Sequence, residues 1–290
     1  MIDVKHILGY AVVGFLVLGI CTIVSAHNPV VTNGLVSHWE MEEGSGNTTV
    51  DSVGSNDGTF ANFTTGGDLP TWSTDVAGAG STYSISFNTA SGGQVVRNTS
   101  PTGTNTDGKT VGLWVKAIGL QNQEVFLFSN AVAGGGVGWM LRLVDNGTKW
   151  DYGHYGIVAI TSTAVDINKW HYVVATKEAT TANLYIDGVL AYSNTITGYN
   201  SSTEDLTIGC AQGDETVSSD ELGLNGLIDE VTFYNRALTA EEVLQNYNAM
   251  QIIKCPTTDL TNDCYVDFRD LAAMAADWLV CGWVTGDCTF

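Results

Sequence analysis

The chain has 290 residues and a formal net charge of −20, from 31 Asp and Glu against 11 Lys and Arg. Such a field repels polyphosphates, so nucleic acid and anionic membrane surfaces are excluded as partners, while neutral sugars and hard cations are not. With 33 Gly, 4 Pro, 8 Trp and 11 Tyr, the composition describes strands joined by tight turns, not a helical bundle or a disordered chain.

At the N-terminus, Lys5 and His6 precede Ile7–Val24, a run without a single charge, and Val24-Ser25-Ala26 supplies the small-residue pattern of a signal-peptidase site. Residues 1–26 are therefore expected to be an export signal removed after Ala26. The alternative is an uncleaved N-terminal anchor, since the apolar run approaches membrane-spanning length. Leu18-Gly19-Ile20-Cys21 hints at a lipoprotein site, against which the bulky Ile20 argues. Either outcome makes the folded part secreted or cell-surface, where disulfides are permitted.

From about Gly34 to Ala249, short apolar alternations are broken by Gly, Asn, Asp and Thr. Strands are expected at Tyr83–Phe87, Thr110–Lys116, Val125–Ser129, Trp139–Leu143, Trp170–Thr176, Asn183–Ile186, Leu206–Gly209 and Leu227–Tyr234. Asp187-Gly188 between two apolar triplets is a type I′ hairpin signal, because both positions tolerate positive φ. Gly134-Gly135-Gly136 is expected to be a mobile loop. Thr239 followed by Glu242 is a capping box that opens a short helix reaching about Asn248. The pattern reads as an all-β sandwich.

Ordered blocks then carry a resemblance. They begin at Gly34-Leu35-Val36-Ser37-His38-Trp39-Glu40-Met41-Glu42-Glu43-Gly44 and continue through Asp51-Ser52-Val53-Gly54-Ser55-Asn56-Asp57-Gly58 and Thr110-Val111-Gly112-Leu113-Trp114-Val115-Lys116. They run on through Trp170-His171-Tyr172-Val173-Val174 and Leu184-Tyr185-Ile186-Asp187-Gly188 to Gly226-Leu227-Ile228-Asp229-Glu230-Val231 and Tyr234-Asn235-Arg236-Ala237-Leu238. This series resembles laminin-G-like, concanavalin A-like domains over residues 30–250. The resemblance implies a two-sheet antiparallel jelly-roll sandwich. It also implies a structural cation where the loop after the first strand meets the last strand, with Asp51, Asp57 and Asp229 as the oxygen donors.

Residues 255–290 differ in character. Asp259, Thr261, Asp263, Asp267 and Asp270 occupy positions 1, 3, 5, 9 and 12 of a calcium loop, with the Tyr265 carbonyl at position 7. Leu271, Met274, Ala275, Trp278 and Leu279 follow as an amphipathic helical stripe. This loop and helix resemble one repeat of a dockerin, which implies Ca²⁺ binding and a cohesin-like partner. Two departures weaken the second implication: Cys264 stands where the loop normally has Gly, and one repeat replaces the family's two. Cys255, Cys264, Cys281 and Cys288 are disulfide candidates with three possible pairings, leaving Cys210 buried at its strand.

For catalysis, Glu40, Glu42 and Glu43 superficially resemble the paired carboxylates of glucanases that share this fold class, which must stand roughly 5 Å apart across one cleft. The run leaves a first strand for a Gly-rich turn, where acids face solvent, so a non-catalytic role is expected. His38, His154 and His171 are scattered, with no Ser or Cys nucleophile spaced around them. Asp145-Asn146-Gly147-Thr148-Lys149-Trp150 resembles a single Asp-box turn and reads as a plain hairpin. For sugar recognition, Trp139 is one candidate, and the cluster Trp150, Tyr152, His154 and Tyr155 is the preferred surface, set in a stretch between strands. Trp114 and Trp170 are expected in the core. The reading is an exported binding module for a glycan or glycosylated partner; the alternatives are an assembly component docking through the tail, and a hydrolase.

Calorimetry on the oxidised tail is expected to show one Ca²⁺ bound in the range of roughly 10⁻⁴–10⁻³ M. The double substitution Asp259→Ala, Asp263→Ala is expected to abolish the heat.

Overall fold

The computed structural model describes residues 31–251 except 79, 105, 120, 123, 132–137, 155–156, 197–201 and 212–221; for 154 and 157–163 it describes the backbone alone. Residues 1–26, expected to be an export signal, the Gly134–Gly136 segment and residues 255–290, expected to hold a calcium loop and its cysteines, lie outside the described residues.

Among the described residues, sixteen strands and one α-helix follow in chain order. They are β1 Leu35–Trp39, β2 Thr48–Thr49, β3 Gly58–Asn62, β4 Thr71–Ser73, β5 Ser84–Phe87, β6 Gln94–Asn98, β7 Lys109–Ala117 and β8 Glu124–Ser129. Then come β9 Trp139–Val144, β10 Lys149–His154, β11 Ile157–Ala164, β12 His171–Glu178, β13 Thr181–Ile186, β14 Val189–Thr195, β15 Leu206–Ile208, β16 Gly226–Tyr234 and the helix α1 Ala240–Ala249. They form two eight-stranded antiparallel sheets: β14-β13-β12-β7-β16-β5-β4 with β1 also on β16, and β11-β10-β9-β8-β15-β6-β3-β2. The architecture is a two-sheet sandwich, as expected.

Strand parity explains the core. Val111, Leu113 and Val115 of β7 and Val173 and Ala175 of β12 point inward, to meet Leu141, Leu143, Trp150 and Tyr152 of the opposite sheet. Trp139 packs against both Phe128 and Phe233, at centroid distances of 5.2 and 5.6 Å. The alternate residues of the first sheet, Trp114, Tyr172, Val174 and Tyr185, face outward, where they pack with Leu238, Val243 and Tyr247. Trp114 is thus buried, but under α1 rather than between the sheets. Trp170 is only partly buried, and its Nε1 donates to Asp75 Oδ1 at 2.9 Å. The helix starts as read: Thr239 Oγ1 accepts from the Glu242 N–H, and Glu242 Oε2 accepts from the Thr239 N–H. Asp187 and Gly188 both take positive φ, at 51° and 78°, as a type I′ turn requires.

One end of the inter-sheet space holds charge. Lys109 and Lys177, paired across β7 and β12, are both fully buried. Lys177 Nζ donates to Asp107 and to the Ala179 carbonyl, and Lys109 Nζ lies 5.1 Å from the centre of the Trp139 ring. Burial, and then the neighbouring Lys177, push the Lys109 amine down from 10.5 to about 7 against the pull of Asp107. Between these values the unfolded chain binds the extra proton, so stability rises as pH climbs from about 7 to 10.5. Lys109→Met is expected to raise the melting temperature at pH 6, with the gain shrinking by pH 10; thermal denaturation across that range checks it.

Candidate metal centre and binding surface

The strand β16 changes neighbour partway along one edge. Gly226–Ile228 pair with β5, whereas Val231–Tyr234 pair with β1, and Asp229 and Glu230 occupy the gap. On its other edge the register against β7 also slips between Asp229 and Thr232. Glu230 accordingly adopts φ 50°, the left-handed conformation of a bulge residue. A bulge breaks strict alternation, which lets two consecutive acidic side chains approach each other. Glu42, just past β1, joins them: one oxygen from each of Glu42, Asp229 and Glu230 lies within 4.8 Å of the others.

Each acid has a defined setting. Glu42 accepts from the Thr82 N–H at 2.8 Å and, with Asp229, from the Ser81 hydroxyl at 2.8 Å. Asp229 Oδ2 also accepts from the Ala77 N–H at 3.1 Å, while the buried Oδ1 has no hydrogen-bond partner. His38 Nε2 donates to Glu230 Oε2 at 2.6 Å. Burial is the main force that pushes the Asp229 carboxyl well above its usual range; the Glu230 and Glu42 charges add to it, and the Ala77 and Ser81 hydrogen bonds only partly offset it. Clustered carboxylates with a buried, unused oxygen are the donor set of a hard divalent cation, which would neutralise the repulsion and take up the orphaned lone pairs.

The expected trio Asp51, Asp57 and Asp229 is not how the carboxylates are used. Asp51 is an organiser of its own loop: Oδ1 accepts the N–H groups of His38, Val53 and Gly54, and Oδ2 that of Asn56. Burial opposes its charge, but these backbone donors prevail and hold its carboxyl below the usual value. Asp57 Oδ1 accepts the Asp51 N–H at 2.9 Å. Asp51 thus makes an Asx-type turn that Asp57 braces from six residues on, and only Asp229 of the trio belongs to the acidic cluster found among the described residues. Glu43 accepts the Val50 N–H at 2.7 Å, and Glu40 lies 3.6 Å from His38 Nδ1. Glu42 and Glu230 are the members missed as ligands; two adjacent acids inside the apolar run Gly226–Tyr234 were the available signal.

The proposed aromatic surface requires correction. Trp150 and Tyr152 are 1% exposed and Trp139 is fully buried, all in the inter-sheet core, so none can stack on a sugar. The segment is not a connection between strands but β10 itself, whose alternate residues point inward. Of His154, only its backbone in β10 is described, and Tyr155 lies outside the described residues. Between the two aromatics, Asp151 faces the outside of its sheet and accepts from Arg142 Nε at 2.5 Å. Arg142 also donates to Glu124 at 2.8 Å and stands 5.7 Å from the Phe126 ring. The turn before β10 has positive φ at Asp145, Asn146 and Gly147, a plain hairpin as expected.

Residues 89–244, more than half of the chain, match the laminin-G model described as the concanavalin A-like lectin/glucanases superfamily. The chain belongs to that superfamily. No curated protein matches it in sequence. Among solved structures, it is similar to domain 4 of AbnA, a GH43 extracellular arabinanase from Geobacillus stearothermophilus, in complex with arabinotriose: TM-score 0.56, 20% identity, 75% of this chain and 98% of that one. The sialidase of Trypanosoma rangeli gives a TM-score of 0.55 at 17% identity over 75% of this chain, which spans only 33% of the enzyme. The binding domain of Paraclostridial Mosquitocidal Protein 1 gives 0.54 at 18% identity, covering 75% of this chain and 52% of that one. At these identities the likeness is one of fold.

Asp229→Asn removes a costly buried charge while keeping the side chain's shape, so in the presence of chelator the variant is expected to melt no lower than the wild type at pH 7. Differential scanning calorimetry in EDTA tests this.

Proposed function

We propose that this chain is a non-catalytic, exported binding module for a glycan or glycosylated partner, with a calcium ion held by Glu42, Asp229 and Glu230. The closure of the carboxylate cluster is the observation that supports the reading. Asp229 and Glu230 have no exposed surface; Asp229 Oδ2 is engaged by Ala77 and Ser81, and Glu230 Oε2 by His38. A glycosidase needs two carboxyl groups that face a substrate-filled cleft, one of them able to deliver a proton. Here the glycosidic oxygen has no route to either buried acid. A bound cation needs no such route: it would tie Glu42 after β1 to the bulge of β16, and so fix the loops at this end of the sandwich.

The comparisons support recognition at the level of fold class, since the relatives include a domain crystallised with arabinotriose and a domain described as a binding domain. The tail loop, Asp259 to Asp270, supplies a second Ca²⁺ site in this reading, and residues 1–26 the export signal.

Thermal melting of the chain carrying Asp259→Ala and Asp263→Ala isolates the sandwich site from the tail. Millimolar Ca²⁺ is expected to raise its transition by several degrees, and adding Asp229→Asn or Glu42→Gln is expected to remove the shift. Assays for reducing-sugar release are expected to stay at background in every variant. An unmoved transition refutes the cation site, and cleavage lost with Glu42→Gln refutes the non-catalytic reading.

A further inference from the structure

The outward face of the first sheet is covered unevenly. Along the β12–β13 ladder, the outward cross-strand pairs run Val174–Tyr185, Thr176–Asn183 and Glu178–Thr181. The first pair lies beneath α1, in the apolar cluster with Leu238 and Val243. The next two are polar, and they lie where the helix has already ended its cover. There the structure has a cavity of about 420 Å³ lined by Thr176, Glu178, Thr181, Asn183, Tyr185 and Thr239, among others.

Its walls are held in place. Thr110 Oγ1 donates to the Arg236 carbonyl at 2.8 Å and accepts the Leu238 N–H at 2.9 Å, which pins the segment entering α1 to β7. Arg236 grips Glu242 with both terminal nitrogens, at 2.8 and 2.7 Å, and Glu242 in turn closes the capping box. The opposite wall is the tight β12–β13 turn, with Ala179 at φ 48°. A preformed recess of this kind loses little entropy on filling.

The lining chemistry selects a ligand. Asn183 is half-buried in mid-strand, a position that Asn disfavours, and its one side-chain bond, to Thr176 Oγ1, is 3.5 Å long. Its amide therefore keeps donor and acceptor capacity facing the cavity. Thr181 and Glu178, both exposed, add a hydroxyl and a carboxylate, and Leu238 and Tyr185 give an apolar floor. Among the described residues Glu178 is the only charged one in the lining, so an anion is repelled and a metal ion finds a single carboxylate there. Hydroxyls that both donate and accept, on a ring with an apolar C–H face, answer every one of these groups.

We propose that this cavity beside the N-terminus of α1 is a glycan subsite that takes one neutral sugar unit of an oligosaccharide, with Asn183 and Glu178 binding its hydroxyls. The proposal rests on the reading of the chain as a glycan-binding module and assigns that role to the helix-bearing sheet, away from the β10 aromatics.

Saturation-transfer NMR and calorimetry on the whole protein with arabinotriose, a neutral β-glucan trisaccharide and a neutral galactan trisaccharide test both levels separately. Binding of at least one probe is expected, weakened about tenfold or more by Asn183→Ala and by Glu178→Gln. Thr181→Trp, an exposed change that fills the recess without touching the core, is expected to block it while melting as the wild type does. Binding that all three variants leave unchanged overturns the subsite and leaves the glycan-binding reading standing. No binding of any probe overturns both.

Discussion

The point on which this sandwich depends is the change of neighbour along β16. A central strand whose edge is shared by two others in succession, β5 and then β1, must leave a gap between them, and backbone in such a gap has no ladder to satisfy it. The chain resolves this with a bulge at Asp229 and Glu230 and fills the gap with side chains from three separate segments: His38 and Glu42 around β1, Ser81 before β5, and the two acids themselves. Three carboxylates, two of them fully buried, form an unfavourable arrangement on their own. The unused oxygen of Asp229 is the one that the proposed cation would take up.

Much of the fold is legible from residue spacing, because strand parity is a local property. Thr110–Lys116, Asn183–Ile186 and the capping box of Thr239 and Glu242 stand close to where their patterns place them. β10 is not legible, and the reason is physical. Asp151 sits at the outward position of a strand whose inward residues are Trp150 and Tyr152, and an acid there disguises a buried strand. Arg142, on the neighbouring strand, helps to make the position tolerable, though burial still raises the Asp151 carboxyl to about 6. A partner brought in by cross-strand register is invisible to a pattern that reads one strand at a time.

The site divides in the same way. Asp229 stands out in the sequence as an acid within an apolar strand, but its partner Glu42 lies near the other end of the domain and meets it only through the pairing of β1 with β16. Asp51 and Asp57 have the composition of ligands and the function of turn residues, since backbone N–H groups nearby in sequence reach their oxygens first. The aromatics show the converse error. The large rings of Trp139, Trp150 and Tyr152 fill the space between the sheets, which takes them away from any ligand at the surface.

The place of β16 in the sheet also sets an order of assembly. It lies between β7 and both β5 and β1, yet it is the last strand in the described chain. As the polypeptide emerges from its N-terminal end, β1, β5 and β7 are all made before the strand that joins them exists. Those earlier strands expose open edges until Tyr234 is in hand, and the pairing of Leu35 with Tyr234 closes one of the longest loops in the molecule. Non-local closure of that sort is slow. The first sheet of a nascent chain therefore stays unfinished until Tyr234 is available, and then completes in one late step.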